Sequence, residues 1–273
     1  MDSWITPKHN HLLALLPEDY YEQLLPNLEP IFLEQGTEIC DSGARLSHAY
    51  FPTTRIVSLL HVTENGDTAE IAITGNDGFV GIALAMGGDT TPNQAVVNCA
   101  GHAYRLKASM LKKELMQHGP LQELLLRYTQ SLITQMSLTA VCNRYHSIEQ
   151  QLCRRLLLGL DRLQTNHLDL THENIANMLG VRREGVTQAA RKLQAAGLIH
   201  YARGHITVLD REELEEHACE CYSVVKNECD RLMPAKKPQP QYKSSSADLE
   251  YMNLETSYHQ RRQPASTVRP HAS

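Results

Sequence analysis

The stretch Leu170-Thr-His-Glu-Asn-Ile-Ala-Asn-Met-Leu-Gly-Val-Arg-Arg-Glu-Gly-Val-Thr-Gln-Ala-Ala-Arg-Lys-Leu193 decides how this chain reads. Thr171, followed three residues later by Asn174, makes a helix start, and Glu173 sits in the first turn, where its charge complements the helix dipole. Ile175, Ala176 and Leu179 recur at helical spacing and supply one buried face. Gly180 then permits a tight turn, Val181 anchors it, and a second helix begins near Arg182 and buries Val186, Ala190 and Leu193. Ala176, four positions before Gly180, lets the two helices pack closely, as a helix-turn-helix unit requires. An ordinary helical hairpin shares part of this pattern. The continuation favours the former: after Gly197-Leu198, the run Ile199 to Leu209 reads as two strands around Arg203-Gly204. Helix, turn, helix and β-hairpin together make a winged helix, an element that binds double-stranded DNA.

The exposed side of the second helix carries Arg182, Arg183, Glu184, Thr187, Gln188 and Arg191. Arginine pairs bidentately with guanine, glutamate accepts from the cytosine amino group, and glutamine reads adenine. A solvated helix face is also polar, but two arginines and a glutamate at the N-terminal end stand where a recognition helix meets base edges. Arg183 and Glu184 are the expected base readers; Arg182, Arg191, Lys192 and wing Arg203 are expected on phosphates, and Thr171 and His172 complete the candidate DNA-binding set. The net charge of −5 does not oppose this. Residues 1–60 hold eight acidic and three basic side chains, whereas residues 171–207 hold five basic and two acidic ones. Salt confines each charge to about 8–10 Å, so a local basic surface on an acidic chain still attracts phosphate.

Upstream, residues 12–30 form an amphipathic start rich in leucine. From Ile31 to Leu106 come short β-type runs separated by glycines, at 31–33, 49–51, 56–60, 69–73 and 95–97, with the hairpin signal Asn65-Gly66 between two of them. They predict a compact antiparallel roll. After Gly119-Pro120 the sequence turns helical: Leu121, Leu125, Tyr128, Leu132, Gln135, Thr139 and Cys142 follow alternating spacings of four and three, the period of a helix–helix seam. A dimer helix is preferred for this stripe; polar Gln135 and Thr139 leave a partner from the same chain open. A second helix is expected from Ile148 to Leu163.

In this order of parts the chain resembles the Crp/Fnr family of bacterial transcription regulators over about residues 10–232. The resemblance implies an α+β fold: an N-terminal antiparallel β-roll of cyclic-nucleotide-binding type (1–118), a long dimerisation helix (119–146) and a C-terminal winged helix-turn-helix (147–232); the proline- and serine-rich composition beyond it, with almost no periodic apolar residues, predicts a disordered tail (233–273). It further implies a homodimer on DNA, RNA polymerase as a partner, and an Arg-Glu pair, here Arg183 and Glu184, reading a G·C pair. Gln188 stands where the cyclic-AMP receptors have a further base-reading arginine. Relatives that bind cyclic nucleotides carry Gly-Glu for the ribose and Arg-Ser or Arg-Thr for the phosphate; here the matching stretches are Gly78-Phe79 and Asn93-Gln94-Ala95. A buried phosphate without a cation is costly, so the effector pocket is expected to be degenerate and any small-molecule effector to be something else.

Oxygen-sensing relatives hold an iron–sulfur cluster on N-terminal cysteines, and this chain has none before Cys40. The set His217, Cys219, Cys221 and Cys229 suggests an alternative, a redox- or metal-responsive regulator. On a continuous helix over 210–232, however, Cys219 and Cys221 point to different sides, and no metal site or cofactor is expected. His48, His61, His102 and His118 are scattered through the roll. Nucleophile elbow, P-loop and metalloprotease spacings are missing, which argues against an enzyme; a module that binds a non-DNA partner would leave the Arg183/Glu184 face without purpose. The 42% hydrophobic and 21% charged composition fits a globular protein. No run approaches the roughly 20 apolar residues of a membrane span, and the seven cysteines fit a reducing cytoplasm better than a disulfide framework.

Overall fold

The computed structural model describes residues 5–163 and 165–234; the tail expected beyond Pro234 lies outside them. Two short helices, α1 (His11–Ala14) and α2 (Glu18–Leu24), precede strands β1 (Glu29–Leu33), β2 (Glu38–Cys40), β3 (His48–Pro52), β4 (Val57–Val62) and β5 (Thr68–Thr74). Helix α3 (Ile82–Ala85), strands β6 (Gln94–Val97) and β7 (Gly101–Lys107) and helix α4 (Ala108–Met116) follow. Two long helices, α5 (Pro120–Tyr145) and α6 (Ile148–Leu163), then lead to β8 (His167–Asp169), α7 (His172–Leu179), α8 (Arg183–Ala195), β9 (Ile199–Ala202), β10 (His205–Val208), α9 (Arg211–His217) and α10 (Glu220–Leu232).

The N-terminal strands form two antiparallel sheets, β1-β7-β3 and β2-β6-β4-β5. Their inward residues, among them Leu33, Phe51, Val57 and Leu106, share one core with Phe79 of the β5–α3 segment, with Leu12 and Leu13 of α1 and with Leu121, Leu125 and Leu132 of α5. The Asn65-Gly66 hairpin forms as expected: Gly66 takes φ +86° in the turn joining β4 to β5. This is the α+β antiparallel roll, long helix and winged helix read from the sequence. The reading did not single out β7, the central strand of its sheet. His102, Tyr104, Arg105 and Lys107 interrupt its apolar pattern, because one face of that sheet lies toward solvent.

Two expectations are corrected. First, Leu121, Leu125, Tyr128, Leu132 and Gln135 of the stripe face the chain's own roll, and Thr139 accepts from Arg154 of α6, so the open alternative of an intrachain partner holds. The Tyr128 ring packs against Phe79 at 5.4 Å between centroids, and its hydroxyl lies 2.7 Å from Thr74 Oγ1. Gln135 donates to the Ile73 carbonyl at 3.1 Å and accepts from the Ile73 amide at 2.8 Å. Strand β5 is a sheet edge, and the Gln135 amide satisfies its open backbone groups as a further strand would. That is why a polar side chain sits at an apolar-period position. Second, the helix expected over 210–232 breaks: Ala218 (ψ 159°) and Cys219 (ψ 162°) are both extended.

Helix α6 carries the second core, where Leu152, Leu156, Leu157 and Leu160 meet Ile175, Leu179, Val186, Leu193, Ile199 and Ile206. Two ion pairs with their arginines buried join α6 to the roll: Arg155 Nε to Glu70 Oε1 of β5 at 2.6 Å, and Arg162 Nη2 to Asp77 Oδ2 at 2.8 Å. Ser147 and Gln150 start α6 with reciprocal hydrogen bonds, leaving only His146 and Ser147 between the two long helices.

Candidate nucleic-acid interface

Helix α7 begins at Thr171, whose hydroxyl accepts from the Asn174 amide at 3.1 Å while the Thr171 amide donates to Asn174 Oδ1 at 3.2 Å. It ends at Gly180, which adopts φ +64°, a left-handed conformation that a side chain would make costly. Val181 then donates back to the Ala176 carbonyl, and α8 starts two residues later, at Arg183. Helix α8 buries Val186, Ala189, Ala190 and Leu193. Its other side exposes Arg183, Glu184, Gln188, Arg191 and Lys192, with Arg182 exposed at the N-cap.

The remaining candidates divide. His172 stacks on Tyr201 of β9 at 4.1 Å between ring centroids, and its Nδ1 lies 3.1 Å from Thr187 Oγ1. His172 and Thr187 therefore brace α7, α8 and the wing against one another and are only partly open to a ligand. Burial, with help from the Arg183 and Arg191 charges, holds the His172 imidazole below the ordinary histidine value. Lys192 Nζ pairs with Glu149 of α6 at 3.2 Å, so a phosphate must compete for it. Arg183 leans toward Glu173 at 3.8 Å, an exposed pair that water loosens readily.

The wing is the β9–β10 hairpin. Arg203 (φ +49°) and Gly204 (φ +89°) form its two-residue turn, and Arg203 is exposed at the tip. The reading did not include β8, which pairs with β10 and makes the wing sheet three-stranded. Three residues are too few for a periodic signal.

Residues 150–217 match the model of the Crp-like helix-turn-helix domain. Several solved structures share the fold. A protein assigned as a transcriptional regulator of the Crp/Fnr family from Eubacterium rectale superposes with a TM-score of 0.60 at 19% identity, covering 77% of this chain and 98% of that one. FixK2 from Bradyrhizobium japonicum gives 0.57 at 15% identity, covering 70% and 98%. The c-di-GMP-responsive global regulator CLP of Xanthomonas campestris gives 0.56 at 16% identity, covering 71% and 100%. The chain has the Crp/Fnr regulator fold. No curated protein sequence matches it significantly. Among the described residues, no helix is long and apolar enough to cross a membrane.

In this Crp/Fnr-type roll, a largely apolar cleft with a cavity volume of about 50 Å³ opens between β6, the β5–α3 segment and α5. Phe79, Asn93, Gln94 and Ala95 line it, with Cys40, Leu59 and Met136. Gly78 does not: a Cβ there would stand 2.1 Å from the Tyr128 ring, so this glycine exists for close packing beneath α5. Gln94 donates to Asp41 Oδ1 at 2.9 Å, and Asn93 Oδ1 lies 3.2 Å from His61 Nδ1. The lining contains neither arginine nor lysine.

The cysteine set proposed from sequence is redistributed. His217 Nδ1 lies 2.9 Å from the Glu213 carbonyl oxygen, on its own helix, and stays apart from the thiols. Cys229 packs against the roll core and α5. Cys219 and Cys221 instead meet Cys142 and His146. By its period alone Cys142 reads as one more seam residue. The spacing Cys142-x-x-x-His146, one helical turn, was the signal that could have found it.

Proposed function

We propose that this protein is a sequence-specific DNA-binding transcription regulator that acts as a homodimer and is not gated by cyclic AMP or cyclic GMP. One observation carries the DNA reading: Arg183, Glu184, Gln188 and Arg191 share the open face of α8, in the second helix of a helix-turn-helix whose wing presents Arg203. A face meant only for solvent needs no arginine at a left-handed turn position, where asparagine or glycine is less strained. RNA polymerase is then the machinery a promoter-bound copy meets.

Dimerisation is assigned to the outer side of α5. Leu126, Ile133 and Val141 are 50%, 53% and 42% exposed, at spacings of seven and eight. With Gln130, Ser137 and Ala140, also exposed, they form a stripe suited to a second copy of the same helix. Two recognition helices related by that contact would read half-sites about 34 Å apart.

The cleft supports independence from cyclic nucleotides. A cyclic phosphate entering it finds amides and the nearby Asp41 carboxylate, with no cation to offset its desolvation. Its apolar lining fits a different small-molecule effector.

Genome-wide mapping of bound sites tests the reading. A two-fold symmetric motif with half-sites one DNA turn apart is expected; failure to enrich any sequence, with intact folding, overturns it in favour of a non-DNA partner. Calorimetry with cyclic AMP and cyclic GMP tests the second part, and micromolar affinity for either restores the nucleotide switch.

A further inference from the structure

Four donor atoms from two parts of the chain meet where α5 ends. Cys142 lies in the last turn of α5 and His146 caps it; Cys219 caps the start of α10, and Cys221 lies in its first turn. The three Sγ atoms and the ring nitrogen all lie within 4.8 Å of one another. Cys142 Sγ is 3.5 Å from Cys219 Sγ, and Cys221 Sγ is 3.6 Å from His146 Nδ1. We propose that Cys142, His146, Cys219 and Cys221 bind one zinc-class divalent ion as a tetrahedral Cys3His site.

The size of the cluster selects the ion. A tetrahedron with metal–sulfur bonds of about 2.3 Å has edges of about 3.8 Å, close to the separations seen. An iron–sulfur cluster spreads its ligands over several irons and needs a wider cage. Three sulfurs and an imidazole are soft donors, poor partners for magnesium or calcium.

The surroundings point the same way. His146 Nε2 lies 3.3 Å from Glu220 Oε1, which holds the ring proton on that nitrogen and turns the Nδ1 lone pair toward the sulfurs. Gln151 Nε2 donates to the His146 carbonyl at 2.9 Å and to that of Cys142 at 3.4 Å, steadying the backbone that presents both ligands. Three thiolates and a neutral imidazole around a dication leave one net negative charge. The guanidinium of buried Arg154, held on Thr139 Oγ1 at 3.2 and 3.3 Å, supplies a compensating positive one.

The backbone is arranged for the same end. On an unbroken helix Cys219 and Cys221 would point about 200° apart. The extended Ala218 and Cys219 separate α9 from α10 without a glycine or proline and bring both thiols to one side. Sulfurs packed as inert core need neither this break nor the Glu220 contact. The ion would tie α10 to the His146–Ser147 link between α5 and α6. Its occupancy thereby sets how firmly the winged helix is held to the long helix.

The full-length chain, purified without chelators, is expected to contain one zinc per chain by elemental analysis. After stripping, a titration with Co2+ should give the intense visible bands of a tetrahedral ion and sulfur-to-cobalt charge transfer in the near ultraviolet, saturating at one equivalent. The Cys219→Ser/Cys221→Ser double variant should lose the charge-transfer band. Glu220→Gln, which keeps all four ligands, should weaken cobalt binding about 10- to 100-fold. Cys99→Ser, outside the cluster, should leave the stoichiometry at one. Substoichiometric metal with no thiolate–cobalt band overturns the site. So does a Cys142–Cys219 disulfide in anaerobically prepared protein, or a spectrum unchanged in the double variant. Should that variant fail to fold, the wild-type spectrum and the Glu220→Gln affinity decide.

Discussion

At the tip of the wing, a single residue separates stability from binding. Arg203 occupies φ +49°, which costs a residue with a Cβ about 1–2 kcal/mol. Arg203→Asn relieves part of that strain, so the denaturation midpoint should rise, by up to about 1 kcal/mol of stability. DNA affinity should fall for every sequence alike, with the salt slope smaller by about 0.9, as expected for one lost phosphate contact. Arg183→Ala should do the reverse in kind: preference at one base pair per half-site relaxes by about 1–3 kcal/mol while the salt slope barely moves. Competition gel shifts at several salt concentrations distinguish the two. His172 adds a pH dependence. Its depressed folded value means that the unfolded chain binds more protons as pH falls below about 6.5. Its contribution is therefore complete above that pH and is lost as pH drops through the folded value. His172→Gln should flatten the stability profile in this acidic window, measured by chemical denaturation at stepped pH, although His11 and His48, also depressed by burial, keep some slope.

Helix α5 works as an element with two faces. Its inner face is committed to the roll through Tyr128 and Gln135, leaving the outer stripe of Leu126, Ile133 and Val141. Ile133→Glu combined with Leu126→Glu touches no buried residue and should leave folding intact. A second copy would then have to bury four uncompensated carboxylates. Light scattering should show a monomer, and DNA binding should fall with it; a dimer that survives the double change would place the contact elsewhere. The same helix shows why period alone misleads. A four-and-three stripe marks a helical face that is covered, but not whether the cover comes from the same chain or another.

Across the whole molecule, the roll and the winged helix are joined by charge as well as by packing. Arg155 and Glu70 are 3% and 7% exposed at their side chains, and the Glu70 carboxylate also accepts from Ser58. Arg155→Met alone strands a buried carboxylate and should cost about 3–5 kcal/mol; Arg155→Met with Glu70→Leu removes both charges and should recover most of it. Equilibrium denaturation of the two single variants and the double closes that cycle. Equal losses in the single and double variants would mean that the pair is not the fastening it resembles.

The winged helix was legible in the sequence because its signals are local. A capping threonine, a glycine that takes φ +64° without strain and a two-residue turn each act over a few neighbours, and backbone sterics there leave few choices. The Arg183/Glu184 face follows from them by helical period. What lies far apart in the chain was decided only by tertiary structure. Gln135 reads as a flaw in an apolar seam until β5 lies beside it with an open edge. Cys142 and Cys219 are separated by 77 positions, and no periodicity reports that their sulfurs meet. The break at Ala218 carries no glycine or proline, so local propensity favours a continuous helix; only the folded chain shows that the break brings Cys219 and Cys221 together beside Cys142 and His146. Local conformational energy is set within a turn or two of chain, whereas the choice of which buried faces touch is made by packing the whole chain at once.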